Sequence, residues 1–193
     1  MLIVIDNFLD TSSCLYKKIT HDDSWNVPVI DYGWLDRGAT PTDRWSALAD
    51  KIWRFASELL PSDFEGTEYW GQELGQDVSL NQMGWHQDKD QYLYDSTGGE
   101  EVVHPEIGSI YYAHKTPIAE GFLEIQRESE NVWDVGGMER IQPIPNRLII
   151  FDSSVFHRVS PVLSGVRRHF ATNIWKKKPT EENFIVGASS FYK

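Results

Sequence analysis

Apolar residues recur at helical spacing early in the chain and come in short runs after it. Residues 42–61, TDRWSALADKIWRFASELLP, carry Trp45, Leu48, Ala49, Ile52, Trp53, Ala56 and Leu59 at three-and-four spacing. That spacing predicts an amphipathic helix packed on a sheet, with Pro61 ending it. Ahead of it, LIVID at 2–6 predicts a short strand, and residues 6–19 predict a helix with Asp10 or Thr11 as its cap. From about residue 66 the pattern changes to short strands broken by Gly and Pro: EYWGQEL, DVSLNQMGWHQD, GSIYYAHK, GFLEIQ, RLIIFDSS, FHRVSPVL and RRHFATNIW. Many short strands after a helical segment predict a mainly β (α+β) sandwich or jelly roll. One connection is long: KDQYLYDSTGGEEVVHPEI, residues 89–107, reads either as a lid or binding loop or as a disordered insertion.

The chain of 193 residues fits one domain over 1–193, with a strand and supporting helices in 1–65 and the jelly-roll core in 66–193. Eight Trp, eight Tyr and nine Phe favour strands and apolar pockets. A formal charge of −11 argues against a nucleic-acid partner, because phosphate binding needs a concentrated cationic surface. The one basic run, IWKKKP, suits a solvated strand end. A single cysteine, Cys14, excludes an internal disulfide framework. The opening MLIVIDNFLD is too short an apolar run for a signal peptide, and no stretch has the length of a membrane span. The expected setting is cytoplasmic, without membrane contact.

The segment MGWHQDKD, residues 83–90, places His86 and Asp88 two positions apart. On a strand such positions share a face, so both could address one metal ion. Two imidazoles and one carboxylate on one side of a metal leave coordination positions open, an arrangement suited to ferrous iron that must hold a cosubstrate and oxygen together. A third ligand should come from a distant strand, and His157, in FDSSVFHRVSPV, opens one after a turn. Asp90 competes as carboxylate but would need a helix to share the face of His86. Ten and eleven residues beyond His157, Arg167 and Arg168 follow a Ser-Gly turn. An arginine grips a carboxylate through two parallel hydrogen bonds. A three-residue hairpin loop would turn Arg167 toward the metal and a two-residue loop Arg168; both could also lie on a solvated hairpin. The same residues leave open a jelly-roll binding protein with structural histidines, or a zinc hydrolase.

In order along the chain, HQD, SIYYAH, EGFLEI, PNRLIIFDSSVFHRVSPV and SGVRR resemble the motifs of the Fe(II)/2-oxoglutarate-dependent oxygenases, in their prolyl 4-hydroxylase-like branch. IVIDNFLD is similar to that family's opening strand and helix. The resemblance covers most of the chain. It implies a double-stranded β-helix with helices on one outer face, and His86, Asp88 and His157 as iron ligands. It further implies that Arg167 and Tyr112 bind the distal carboxylate of 2-oxoglutarate, with Leu123 lining that pocket and Tyr111 on the opposite face. The implied reaction consumes oxygen, releases succinate and CO2 and hydroxylates an aliphatic C–H of a protein side chain or a free amino acid, with ascorbate as a compatible reductant. Two departures stand out: Glu120-Gly121 where the family often has Gly-Gly, and His114 where it often has Asn. His169 and Asn173 share the face of Arg167 on a regular strand, and Gln82 has the parity of His86.

Overall fold

A computed structural model describes residues 1–25, 29–59, 63–75, 80–126 and 137–180. In chain order its elements are β1 (Leu2–Ile5), α1 (Cys14–Ile19), β2 (Val29–Asp36), α2 (Arg44–Leu59), β3 (Gly66–Gly75), β4 (Met83–His86), α3 (Gln91–Ser96), β5 (Ile107–Tyr112), β6 (Ala119–Glu120) and β7 (Leu123–Gln126). After these come β8 (Met138–Ile141), β9 (Leu148–Phe151), β10 (His157–Val159), β11 (Val162–Ser164) and β12 (Val166–Trp175). Six strands form a major sheet in the order β1-β9-β5-β12-β3-β2, and four form a minor sheet, β4-β10-β7-β8. The pairings are antiparallel, and β11 with β6 makes a small third sheet. This is the jelly-roll arrangement of two facing sheets that the strand pattern predicts, with few helices.

The long strand β12 sits inside the major sheet. It pairs with β3 along its whole length, Val166↔Gly75 to Trp175↔Gly66, and with β5 from His169↔Tyr112 to Ile174↔Ile107. Alternation along it therefore separates two interiors. On the outer side Tyr69, Tyr111, Leu148, Ile150, Phe170 and Ile174 bury against Trp45, Leu48, Ala49, Ile52 and Ala56 of α2. On the inner side Ile110, Tyr112, Ile149 and Phe151 meet Leu123, Ile125 and Ile141 of the minor sheet.

The start of α2 is fixed locally: Asp43 Oδ1 accepts from the Trp45 and Ser46 N–H groups, and Ser46 Oγ accepts back from the Asp43 N–H. That reciprocal cap satisfies donors the helix itself cannot. At α1 the cap is Ser13, whose Oγ accepts from the Tyr16 N–H at 3.1 Å, and neither Asp10 nor Thr11. Asp10 is occupied one turn earlier, taking the N–H and hydroxyl of Ser12.

Several expected strands change shape. FHRVSPVL divides into β10 and β11, because Pro161 between them has no N–H to continue a ladder. DVSLNQMGWHQD contributes only Met83–His86, and its residues 77–79 lie outside the described residues. The strand β2 had no clean two-residue period to announce it, and its register shifts between Ile30 and Gly33. The 89–107 connection contains α3, started by Asp90, whose side chain accepts from the Leu93 N–H. Among the described residues no helix is long and apolar enough to cross a membrane.

Candidate metal centre

His86 ends β4, His157 opens β10, and the two face each other across the antiparallel pairing. Their ring centroids are 4.2 Å apart. Asp88 is not on the strand face the spacing predicts, since β4 stops at His86. The chain brings its carboxylate back by another route: the Asp88 N–H donates to the Ser153 carbonyl at 3.0 Å, and the Asp88 carbonyl accepts from His104 Nδ1 at 2.6 Å. Asp88 Oδ1 then lies 3.8 Å from the Nε2 of each histidine. One donor atom from each of the three residues lies within 4.8 Å of the others.

Both tautomers are set by backbone carbonyls, which can only accept. His86 Nδ1–H donates to Gly84 O at 2.8 Å and His157 Nδ1–H to Val155 O at 2.9 Å. Each ring therefore turns its lone-pair nitrogen, Nε2, toward the carboxylate. Burial pushes His157 down to about 4, against an upward pull from Asp88, so it is neutral at neutral pH. Two imidazoles whose Nδ1–H groups are turned away to carbonyls, converging with one carboxylate, form a donor set that suits a divalent cation.

Deeper between the sheets, Arg167 is fully buried. Its Nη1 donates to His169 Nδ1 at 2.6 Å, its Nη2 to the Tyr112 hydroxyl at 3.4 Å, and its carbon Cζ lies 4.9 Å from the Tyr112 ring centre. Its Nε has no hydrogen-bond partner, and no carboxylate pairs with it among the described residues. A buried guanidinium in that state costs several kcal/mol until an anion joins it. Arg168 faces the other way, paired with Glu73 at 2.6 Å and with Asp22. The hairpin expected to decide between the two arginines does not form. Strand β11 pairs with β6, β12 pairs with β3 and β5, and the chain passes from one sheet to the other at Gly165, with φ 81°.

Tyr112 and Leu123 are fully buried in the inner cluster, and Tyr111 lies in the outer one with its hydroxyl donating to Asn146 Oδ1 at 2.9 Å. A narrow crevice runs from the triad past Ile110, Leu123, Phe151 and Val159 to His169. At about 30 Å3 it holds roughly one water. A diacid therefore enters only if side chains yield and His169 gives up its hold on Arg167.

Glu120 adopts φ 63°, a left-handed conformation in which glycine is favoured, and pairs with Arg140 at 3.2 Å. Beside it, Gly121 is required. A Cβ there would meet Val162 at 2.9 Å and the Arg167 side chain at 3.3 Å. His114 is buried between the carbonyls of Arg168 and Pro143, and burial pushes it down to about 4. Asn173 does lie on the face of Arg167, donating to Glu68 Oε1 at 2.8 Å. Gln82 is exposed, and Asp90 caps α3 and takes the N–H and hydroxyl of Thr180, so neither joins the triad. The residues missed from sequence are His104, Ser153, Tyr32 and Glu68. Their contacts join distant segments, so no local spacing signals them.

The two-sheet jelly roll is the fold of solved prolyl hydroxylases and of a 2OG-Fe(II) oxygenase. A Pseudomonas putida prolyl-4-hydroxylase superposes with a TM-score of 0.59 at 12% identity, over 92% of this chain and 93% of that one. HygX from Streptomyces hygroscopicus, with nickel and 2-oxoglutarate bound, gives 0.57 at 12% identity, over 90% and 81%. The viral collagen prolyl hydroxylase from Paramecium Bursaria Chlorella virus-1, as its 2-oxoglutarate complex, gives 0.54 at 16%, over 92% and 96%. No family model matches the sequence. No curated protein matches it.

Proposed function

We propose that the protein is an Fe(II)- and 2-oxoglutarate-dependent dioxygenase that hydroxylates an aliphatic C–H of a protein side chain or an amino-acid-like molecule. One observation carries this: a fully buried arginine with an orphaned Nε, on the same interior face as a His/Asp/His donor set. An arginine placed there to grip a carboxylate favours the oxygenase over a zinc hydrolase or a jelly roll with structural histidines.

Iron held by His86, Asp88 and His157 would supply oxygen activation coupled to the oxidation of 2-oxoglutarate to succinate and CO2. The chain's own part is orientation and exclusion of water. Gly84 and Val155 carbonyls hold both imidazoles in the ligating tautomer. Ser153 and His104 hold the Asp88 backbone from both sides. Arg167 offers the guanidinium fork to the distal carboxylate of the cosubstrate, Tyr112 adds its hydroxyl, and Leu123 keeps the wall apolar. An acid at position 88 would also neutralise part of the charge of the ion it held.

Succinate release tests the reading. Protein supplied with Fe(II), 2-oxoglutarate and air is expected to release succinate slowly even without substrate, and Asp88→Ala is expected to stop it. Turnover with zinc alone, or release that is indifferent to Asp88→Ala, would contradict it.

A further inference from the structure

His86 and Asp88 also form one wall of a second, larger cavity of about 450 Å3. Five aromatic residues line it: Tyr32, Trp70, Trp85, Tyr94 and Phe156. Tyr32 stacks on Trp70, with centroids 5.9 Å apart and 24° between the planes. Glu68 shares the wall, is only 6% exposed, and is held by neutral donors, among them the Tyr32 hydroxyl and the Asn173 amide. A carboxylate has about four acceptor positions, so these neutral donors, with the Trp175 indole beside them, leave it able to receive more. No lysine or arginine pairs with Glu68 among the described residues. Burial raises its carboxyl to about 7, partly countered by the Tyr32 and Asn173 hydrogen bonds.

The acidic side chains of the 89–107 connection do not explain the cavity's character. Asp90 caps α3, Asp95 accepts from Gln91, and Glu106 pairs with Lys176. Lys89 is the one lysine or arginine in the wall among the described residues. Its Nζ sits 4.3 Å from the centre of the Tyr94 ring. The cavity thus already seats an ammonium on an aromatic face, while its buried carboxyl has none.

We infer that this cavity is the substrate subsite and selects an organic cation, an ammonium or guanidinium on an aliphatic skeleton. Glu68 receives the charged group, the rings enclose it, and the neighbouring methylene groups lie toward the triad. Aromatic faces and a desolvated carboxylate each favour a cation over a neutral group of the same shape. That the cavity is a substrate subsite, with the methylenes toward the triad, rests on the oxygenase reading; the cation preference stands on the cavity alone.

The test is anaerobic calorimetry on the Fe(II)- and 2-oxoglutarate-loaded protein. The probes are Nα-acetyl-lysine methylamide, the arginine counterpart, and as neutral control the norleucine counterpart, whose side chain is one heavy atom shorter than that of lysine. At least one cationic probe is expected to bind about tenfold or more tightly than the norleucine compound. That preference should vanish in Glu68→Gln and shrink in Tyr94→Leu, which removes a ring from the α3 segment and leaves the sheet intact. Lys89→Gln, which removes the resident ammonium, should tighten cation binding. A norleucine compound that binds as well as both cations overturns the inference, as does an unchanged preference in folded Glu68→Gln. If iron and 2-oxoglutarate bind and no cation does, the subsite fails and the oxygenase stands. If the cation binds metal-free protein that never takes up 2-oxoglutarate, the oxygenase reading fails instead.

Discussion

Alternate residues of β12 enter two interiors that are equally dry and chemically opposed. Phe170 and Ile174 face α2, and Phe170 stacks on Trp45 at 5.6 Å and leans on Tyr69 at 5.7 Å. Arg167, His169 and Asn173 face the minor sheet and are just as buried, at 0%, 2% and 2% exposure against 0% for Phe170. Apolar burial on the first face contributes to folding. On the second, buried polar groups are held by one another and by an arginine that lacks an anion, so they cost stability and make sense as a site. Burial alone does not separate core from site; satisfaction of the buried polar atoms does.

Substitutions on the two faces should therefore fail in different ways. The largest effect is expected from Phe170→Ala, which opens a cavity beside Trp45 and should lower unfolding free energy by about 3–5 kcal/mol. Urea unfolding checks this, and 2-oxoglutarate affinity of the folded fraction should stay near that of the parent. Arg167→Met should do the reverse. Loss of the pairing cation is expected to weaken 2-oxoglutarate binding by roughly 2–5 kcal/mol, with unfolding free energy unchanged or raised. Calorimetry and urea unfolding on the same sample check both halves, and iron affinity should move far less than cosubstrate affinity.

A smaller effect is expected from pH. The folded chain holds His114 near 4, while the unfolded chain protonates it near 6.5. The unfolded state then binds the extra proton first, so stability is lost as pH falls from 6.5 toward 4. Between pH 7 and pH 5 this residue should account for about 2 kcal/mol. His114→Asn should flatten that part of the pH dependence in urea unfolding, although His157 and His169, also shifted down, keep part of the slope. The smallest effect is at Glu120. Replacing it by Gly relieves a left-handed backbone and gives up an exposed ion pair, so Glu120→Gly should be neutral or stabilising by up to about 1 kcal/mol in thermal unfolding.

What could be read in advance follows the same division. The apolar periodicity of 42–61 and the short strands after 66 reflect packing against immediate neighbours, and they produced α2, β3, β5, β7, β9 and β12. His86 was legible as the first member of a His-x-Asp pair and His157 as a histidine that opens a strand after a turn, and the two rings do lie side by side. Asp88 was found by spacing that does not apply, since its backbone is set by Ser153 and His104, 65 and 16 residues away. Arg167 was one of two candidates until register with Leu74 turned it inward and left Arg168 with Glu73. The Glu68 subsite had no local signal, because Tyr32 and Asn173 reach it from two other strands.

Anaerobic titration of the protein with Fe(II) and 2-oxoglutarate, followed by visible absorbance, tests the central claim most directly. A weak charge-transfer band should appear only when both are present, in equal amounts with the protein, and should demand far more 2-oxoglutarate in Arg167→Met. No band with the parent protein, or one that saturates alike in both, would contradict a metal held by His86, Asp88 and His157 with Arg167 waiting for the diacid.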